Sequence, residues 1–264
     1  ALVWKTRGRQ FDSASGHTMN KYLNPVNYIK YSYKYIKKLL KIRSIQKINN
    51  INFVEKKIKN INSVDQLLDF HFKTYSDINH INREMFEYIL KHFAGSSLNI
   101  LETGSAAHGT KSSMLFASYV KIFGGKFDTV DTNPEIKNFY NYIDSPIATF
   151  HTDDSVNFIE NLDDEIVATL DLIFLDSYDL DLENPEPSQQ HGLKEFMLLN
   201  KKIKKGTIIS IDDTPDDFNK FSYSKSNIFN FIPGKGKLVL DYIYKNPNLY
   251  KILFHDYSVV LMKK

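Results

Sequence analysis

The sequence predicts an α/β fold: a seven-stranded, mostly parallel sheet with helices on both faces, a C-terminal antiparallel hairpin and an N-terminal helical extension. Three observations carry this expectation. From residue 98 onward short apolar stretches alternate with helical ones, the order of a parallel sheet covered on both sides. The run Leu170-Asp-Leu-Ile-Phe-Leu175 is almost continuously apolar, as a strand buried on both faces must be. Near the end, Tyr250–Phe254 and Tyr257–Met262 are separated only by His255-Asp256, too short for a crossover, so they must pair antiparallel.

The elements follow in order. Helical spacing marks Val64–Thr74 and Arg83–Phe93, the second stopped by Gly95. Strands are expected at 98–103, 126–131, 147–152, 170–176 and 206–212. Helices at about 111–123, 134–142, 154–161 and 190–203 separate them, and Gly236–Tyr244 is a helix before the hairpin. The 264 residues suffice for one large domain with an appendage. There is no cysteine, which excludes disulfides and thiolate metal sites. No apolar run reaches the roughly 18 residues of a membrane span, and no signal peptide is recognisable. A cytoplasmic location is therefore expected.

Residues 1–18 differ from the rest. They hold the only tryptophan, Trp4, and two of the four arginines, Arg7 and Arg9. Met19 reads as a natural start behind a vector-derived tag, the alternative being a disordered natural terminus. Residues 19–60 carry eleven Lys or Arg against the single acid Glu55, whereas 61–264 carry twenty basic and 29 acidic groups. A basic arm (19–63, Asn-rich from 48) thus precedes an acidic body (64–264) whose first helices (64–95) are expected to form a lid or an oligomer contact. Tyr28–Gln46 mixes apolar and basic residues at near-helical spacing. It suits docking on the inner face of a membrane or on a partner subunit, or a solvated helix packed on the main domain. The acidic body argues against nucleic acid.

In an open α/β sheet, ligands bind beyond the carboxyl ends of the strands. Acids stand at each of those ends: Glu102, Asp131, Asp153-Asp154, Asp176 and Asp212-Asp213. The stretch from Leu98 to Thr110 joins an apolar strand to a glycine-bearing loop and a helix, an arrangement that cradles the polar part of a nucleotide-like cofactor. Its glycines, Gly104 and Gly109, do not follow the GxGxxG spacing of dinucleotide sites. Asp131, at the end of the second strand, can accept both hydroxyl hydrogens of a ribose, or cap the helix near Pro134. Asp154 with Ser155 can meet an adenine edge, or cap the helix through Ile159.

From Leu98 to Lys264 the chain resembles the class I S-adenosylmethionine-dependent methyltransferases, whose Rossmann-like sheet ends in such a hairpin. The resemblance implies that the loop Glu102–Gly109, with Gly104, Ser105 and the following Ser112, holds the methionine part of the cofactor. It further implies Asp131 at the ribose, Asp154 and Ser155 near the adenine, and Asp176 at the inner edge of the site. The loop departs from the family's pattern by one extra residue between Gly104 and Gly109.

Asp176 (FLDSYD) and Asp212-Asp213 (SIDDTP) should end adjacent strands, where three carboxylates would repel one another without a cation between them. Oxygen ligands point to Mg²⁺, with Mn²⁺ or Ca²⁺ as alternatives. Asp213 as a cap for a helix after Pro215 is the other reading. This pattern resembles the metal-dependent O-methyltransferases, in particular the sugar, macrocin-type and cephalosporin-hydroxylase-like group. The resemblance implies metal-assisted methyl transfer to a hydroxyl of a saccharide or related small molecule, the metal lowering the acceptor's pKa. Asp179 and His191 are the candidate bases. His191 is expected to open a helix after the loop Asp181–Gln190, or to be a surface residue there. Metal-independent transfer and a non-catalytic cofactor-binding scaffold docked by the basic arm are the rival readings.

Overall fold

Seven strands form one sheet in the order β3-β2-β1-β4-β5-β7-β6: β1 (Leu98–Thr103), β2 (Gly125–Asp131), β3 (Ala148–Thr152), β4 (Leu172–Leu175), β5 (Ile208–Ile211), β6 (Tyr250–His255) and β7 (Val259–Lys263). β1 to β5 pair in parallel, while β7 runs antiparallel to both β5 and β6. The computed structural model describes residues 58–105, 109–136, 146–181, 183–217 and 234–264. The expected tag, the basic arm up to residue 57 and most of the helix expected at 134–142 lie outside them.

Both faces are covered, as the apolar run at β4 requires. Along β4, Leu172 and Phe174 enter one core while Ile173 and Leu175 enter the other, the alternation of a pleated strand. β7 divides likewise, Val260 to one side and Val259 and Leu261 to the other. The first core is closed by α1 (Val64–Thr74), α2 (Arg83–His92) and α3 (Ser112–Phe123). The second is closed by α4 (Ser155–Asn161), α5 (Asp164–Thr169), α6 (Glu186–Asn200) and α7 (Lys237–Lys245). The sequence reading omitted α5, a helix of six residues capped by Asp163, too short to show a period.

In the N-terminal helices, expected to form a lid or an oligomer contact, Met85, Phe86, Ile89 and Leu90 of α2 are all buried. The Phe86 ring packs 5.6 Å from Phe116 and 5.3 Å from Phe174. Ser63 starts α1 by accepting the Gln66 amide N–H, and Gln66 reaches back to the amide of Asn62. One expectation is corrected: α6 begins at Glu186 rather than at about 190. Pro187 lies in its first turn, where a missing N–H costs nothing. The long loop is correspondingly shorter, and His191 lies inside the helix.

Because α2 belongs to the core, Phe86→Ala should cost about 3–5 kcal/mol. Urea unfolding of the wild type and the variant measures this; a detachable lid would leave the midpoint where it was.

Candidate active site at the strand ends

The chain passes from β3 back to β4 beside β1, so the crevice between the carboxyl ends of β1 and β4 is the switch point of the sheet. Gly104 lies there with φ +80. A Cβ on it would stand 2.3 Å from the carbonyl oxygen of Asp176, so only glycine lets β1 leave the sheet beside β4.

Beyond this point lies a cavity of about 200 Å³, lined by Gly104, Asp131, Asp154, Ser155, Tyr178 and His191 among others. Four of the residues expected at a cofactor and one expected base therefore share one wall. Asp131 accepts the amide N–H of Ser105 (3.1 Å) and of Asn133 (2.8 Å), tying the loop after β1 to the end of β2. Asp154 both caps α4, accepting from the amides of Val156 and Asn157, and borders the cavity. Ser155 Oγ meets His191 Nε2 at 2.8 Å. Glu195, one turn on and buried, has a carboxylate oxygen 3.6 Å from the same nitrogen and raises the His191 pKa.

Glu102 and Ser112 are not among the residues that line this cavity. Glu102 is fully buried, and its carboxylate accepts from Ser112 (2.5 Å), Ser113 (2.5 Å) and Thr129 (2.7 Å) hydroxyls. Burial outweighs these bonds and pushes its pKa up to about 7. Its role is to hold the start of α3 against β1 and β2. The other edge of the loop is gripped by the N-terminal helices. His71 Nε2 donates to the Thr110 carbonyl (2.7 Å) and Ser76 Oγ to the Gly109 carbonyl (3.1 Å). The His80 ring lies 3.3 Å from Thr110 Oγ1. Desolvation lowers the pKa of both histidines, that of His71 to about 4, so His71 is a neutral hydrogen-bond donor.

Asp176, Asp212 and Asp213 do meet at the ends of β4 and β5, with a partner that the sequence reading did not include. Lys235 Nζ lies 2.5 Å from Asp176 Oδ1 and 3.3 Å from Asp213 Oδ2. Asp213 also accepts from Tyr257 Oη (2.5 Å), and Asp212 from Asn82 Nδ2 (2.8 Å) and Ser258 Oγ (2.6 Å). Burial, and then the neighbouring carboxylates, raise the pKa of Asp176 and Asp212, while Lys235 lowers both. Burial alone would depress the Lys235 pKa, but the three carboxylates outweigh it and raise it. Asp213 is therefore not a helix cap: it has φ +44, and no helix follows within the described residues up to 217.

This donor set does not fit a divalent cation. A metal needs oxygens at about 2.0–2.6 Å and cannot share that space with an ammonium. Among the described residues no group of three His, Asp or Glu is placed to hold one. Asp179 stands exposed on the loop after β4. Lys235, Asn82, His80 and Ser258 were not found from sequence; each lies far along the chain from the acids or loop it meets.

The strand order with its terminal hairpin and strand-end cavity is the Rossmann-like fold of methyltransferases. Among solved structures, MycE methyltransferase from the mycinamycin biosynthetic pathway, in complex with Mg, SAH and mycinamycin VI, is similar at TM-score 0.52. It is 12% identical over 75% of this chain, and the chain spans 52% of it, about half its length. SAH-bound Podospora anserina methyltransferase PaMTH1 is similar at TM-score 0.51 and 14% identity, covering 81% of this chain and 94% of its own. No protein-family profile matches the chain, and no curated protein is significantly similar to it. At these identities the likeness establishes the fold.

The folded chain holds the Glu102 proton to about pH 7, whereas an unfolded glutamate releases it near 4.5. Its contribution to stability is therefore full below pH 4.5 and lost as pH rises through 7. In Glu102→Gln that dependence should vanish, flattening the stability curve across this window by about 3 kcal/mol. Thermal unfolding from pH 4.5 to 8 tests it; parallel curves for the two proteins would refute the assignment.

Proposed function

We propose that the chain is an S-adenosylmethionine-dependent methyltransferase acting on a hydroxyl of a small molecule, a saccharide being the class we favour. The single observation that carries this reading is the cavity at the sheet's switch point. There Asp131 is fastened to the cofactor loop through the Ser105 amide, and Asp154 and Ser155 stand at the far side.

In this reading Asp131 accepts the ribose hydroxyls, while Asp154, Ser155 and His191 border the adenine. The sulfonium lies towards Gly104 and Asp176. Methyl transfer forms the acceptor O–C bond as the S–C bond breaks, releasing S-adenosylhomocysteine, and the hydroxyl proton must go to a base. His191 is engaged by Ser155 and by Glu195, which leaves Asp179, on the exposed loop after β4, as the proposed base. No step is assigned to a divalent metal, because Lys235 stands between the carboxylates that would hold it. Asn82, just before α2, donates to Asp212, which in this reading places the N-terminal helices beside the acceptor side.

Calorimetric titration with S-adenosylhomocysteine should show one site in the wild type and, in Asp131→Ala, an affinity lower by about a hundred- to ten-thousandfold, the worth of two hydrogen bonds to a charged group. NAD should give no heat. Equal affinity of the two proteins for S-adenosylhomocysteine, or tight NAD binding, would end this reading.

A further inference from the structure

The carboxylates at the ends of β4 and β5 already have a cation, and it is part of the chain. We propose that Lys235 is the resident cation of this site, held between Asp176 and Asp213 in place of a divalent metal ion, so that the site excludes such ions. Its bearing on the acceptor rests on the methyltransferase reading; the exclusion of metal does not.

The seat of Lys235 is built by the backbone. Lys235 is flanked by Gly234 and Gly236, and the three residues lie flat against the turn Asp213-Thr214. The Lys235 amide N–H donates to the Asp213 carbonyl (2.9 Å) and the Gly236 amide to Thr214 Oγ1 (2.9 Å). Thr214 Oγ1 in turn donates to the Asp212 carbonyl (2.8 Å). A Cβ on Gly234 would come within 2.8 Å of the Asp213 carbonyl, and one on Gly236 within 2.6 Å of Thr214 Oγ1, so no larger residue permits this approach.

The consequence is fixed by charge. The Lys235 side chain is 6% exposed and within 3.3 Å of two carboxylates, so it cannot leave without stripping both of their cationic partner. A divalent ion would have to displace an ammonium that is covalently tethered and already in place, while Asp212 is engaged separately by Asn82 and Ser258. With the ammonium removed, Asp176 and Asp213 are left without the cation between them, and their hard oxygens are of the kind that divalent cations take.

The test is titration of the full chain with Mn²⁺, followed by calorimetry and by the electron paramagnetic resonance signal of the free ion. The wild type and Lys235→Arg should bind no stoichiometric Mn²⁺ below about 1 mM. Lys235→Met, which keeps length and loses charge, should gain one site at least about tenfold tighter, because removing one partner leaves uncompensated charge. Asp213→Asn added to Lys235→Met should abolish the gained site. Stoichiometric Mn²⁺ binding by the wild type that is lost in Asp212→Asn would overturn the proposal, as would a folded Lys235→Met without a gained site. If Lys235→Met does not fold, the wild type and Lys235→Arg decide the matter. S-adenosylhomocysteine binding, measured separately, keeps this outcome distinct from the cofactor reading.

Discussion

Three carboxylates brought together under a layer of protein are the constraint around which this molecule is arranged. Asp176, Asp212 and Asp213 end neighbouring parallel strands, where the sheet register leaves them no freedom to separate. Like charges so placed in a poorly solvated region must be neutralised, hydrogen-bonded or partly protonated. The chain uses all three means. Lys235 bridges two of the acids, Asn82 and Ser258 donate to the third, Tyr257 donates to Asp213, and burial raises the pKa of Asp176 and Asp212. The partners come from the residue before α2, the approach to α7 and the start of β7. The cluster thus draws together parts of the chain that are 130 residues or more apart, as for Asn82 and Asp212.

A second acid solves the same problem differently. Glu102 sits one strand away from Asp131 but is enclosed by three hydroxyls, and its burial keeps its proton to about neutrality. Asp131 lies at the cavity wall and takes two backbone N–H bonds. Two carboxylates on adjacent strands thereby divide the work: one anchors the helix after the cofactor loop, the other presents oxygen to whatever fills the cavity. Residue type alone does not separate these roles; depth below the strand end does.

The layered fold was legible because its signals are local. Alternation along β4 and β7, the two-residue link at His255-Asp256 and the Gly95 stop each sit within one element. Legibility faded where a competing local signal was weak. The start of α6 was misplaced because Pro187 reads as loop unless its position in the first turn is known. The site was legible in part for the same reason. Acids at strand ends follow from the strand assignment, and Gly104, Asp131, Asp154 and Ser155 do line the cavity there. Glu102 followed the same rule, yet it points inward. Lys235 carried a local hint in its two glycines, but nothing in a single sequence joins it to acids more than twenty residues before it.

The N-terminal helices link the loop after β1 to the carboxylate cluster. His71, Ser76 and His80 hold Gly109 and Thr110 at one end of the connection between α1 and α2, and Asn82 holds Asp212 at the other. Phe86, one turn further on, is locked into the first core by Phe116 and Phe174. A displacement of the loop would therefore have to move His71, which is buried and neutral, or Asn82, which is buried and bonded to both Asp212 and Ser258. Neither moves without leaving a buried polar group unpaired, a cost of about 1–3 kcal/mol for each group. The two halves of the crevice are thus joined through one stretch of chain, the connection between α1 and α2.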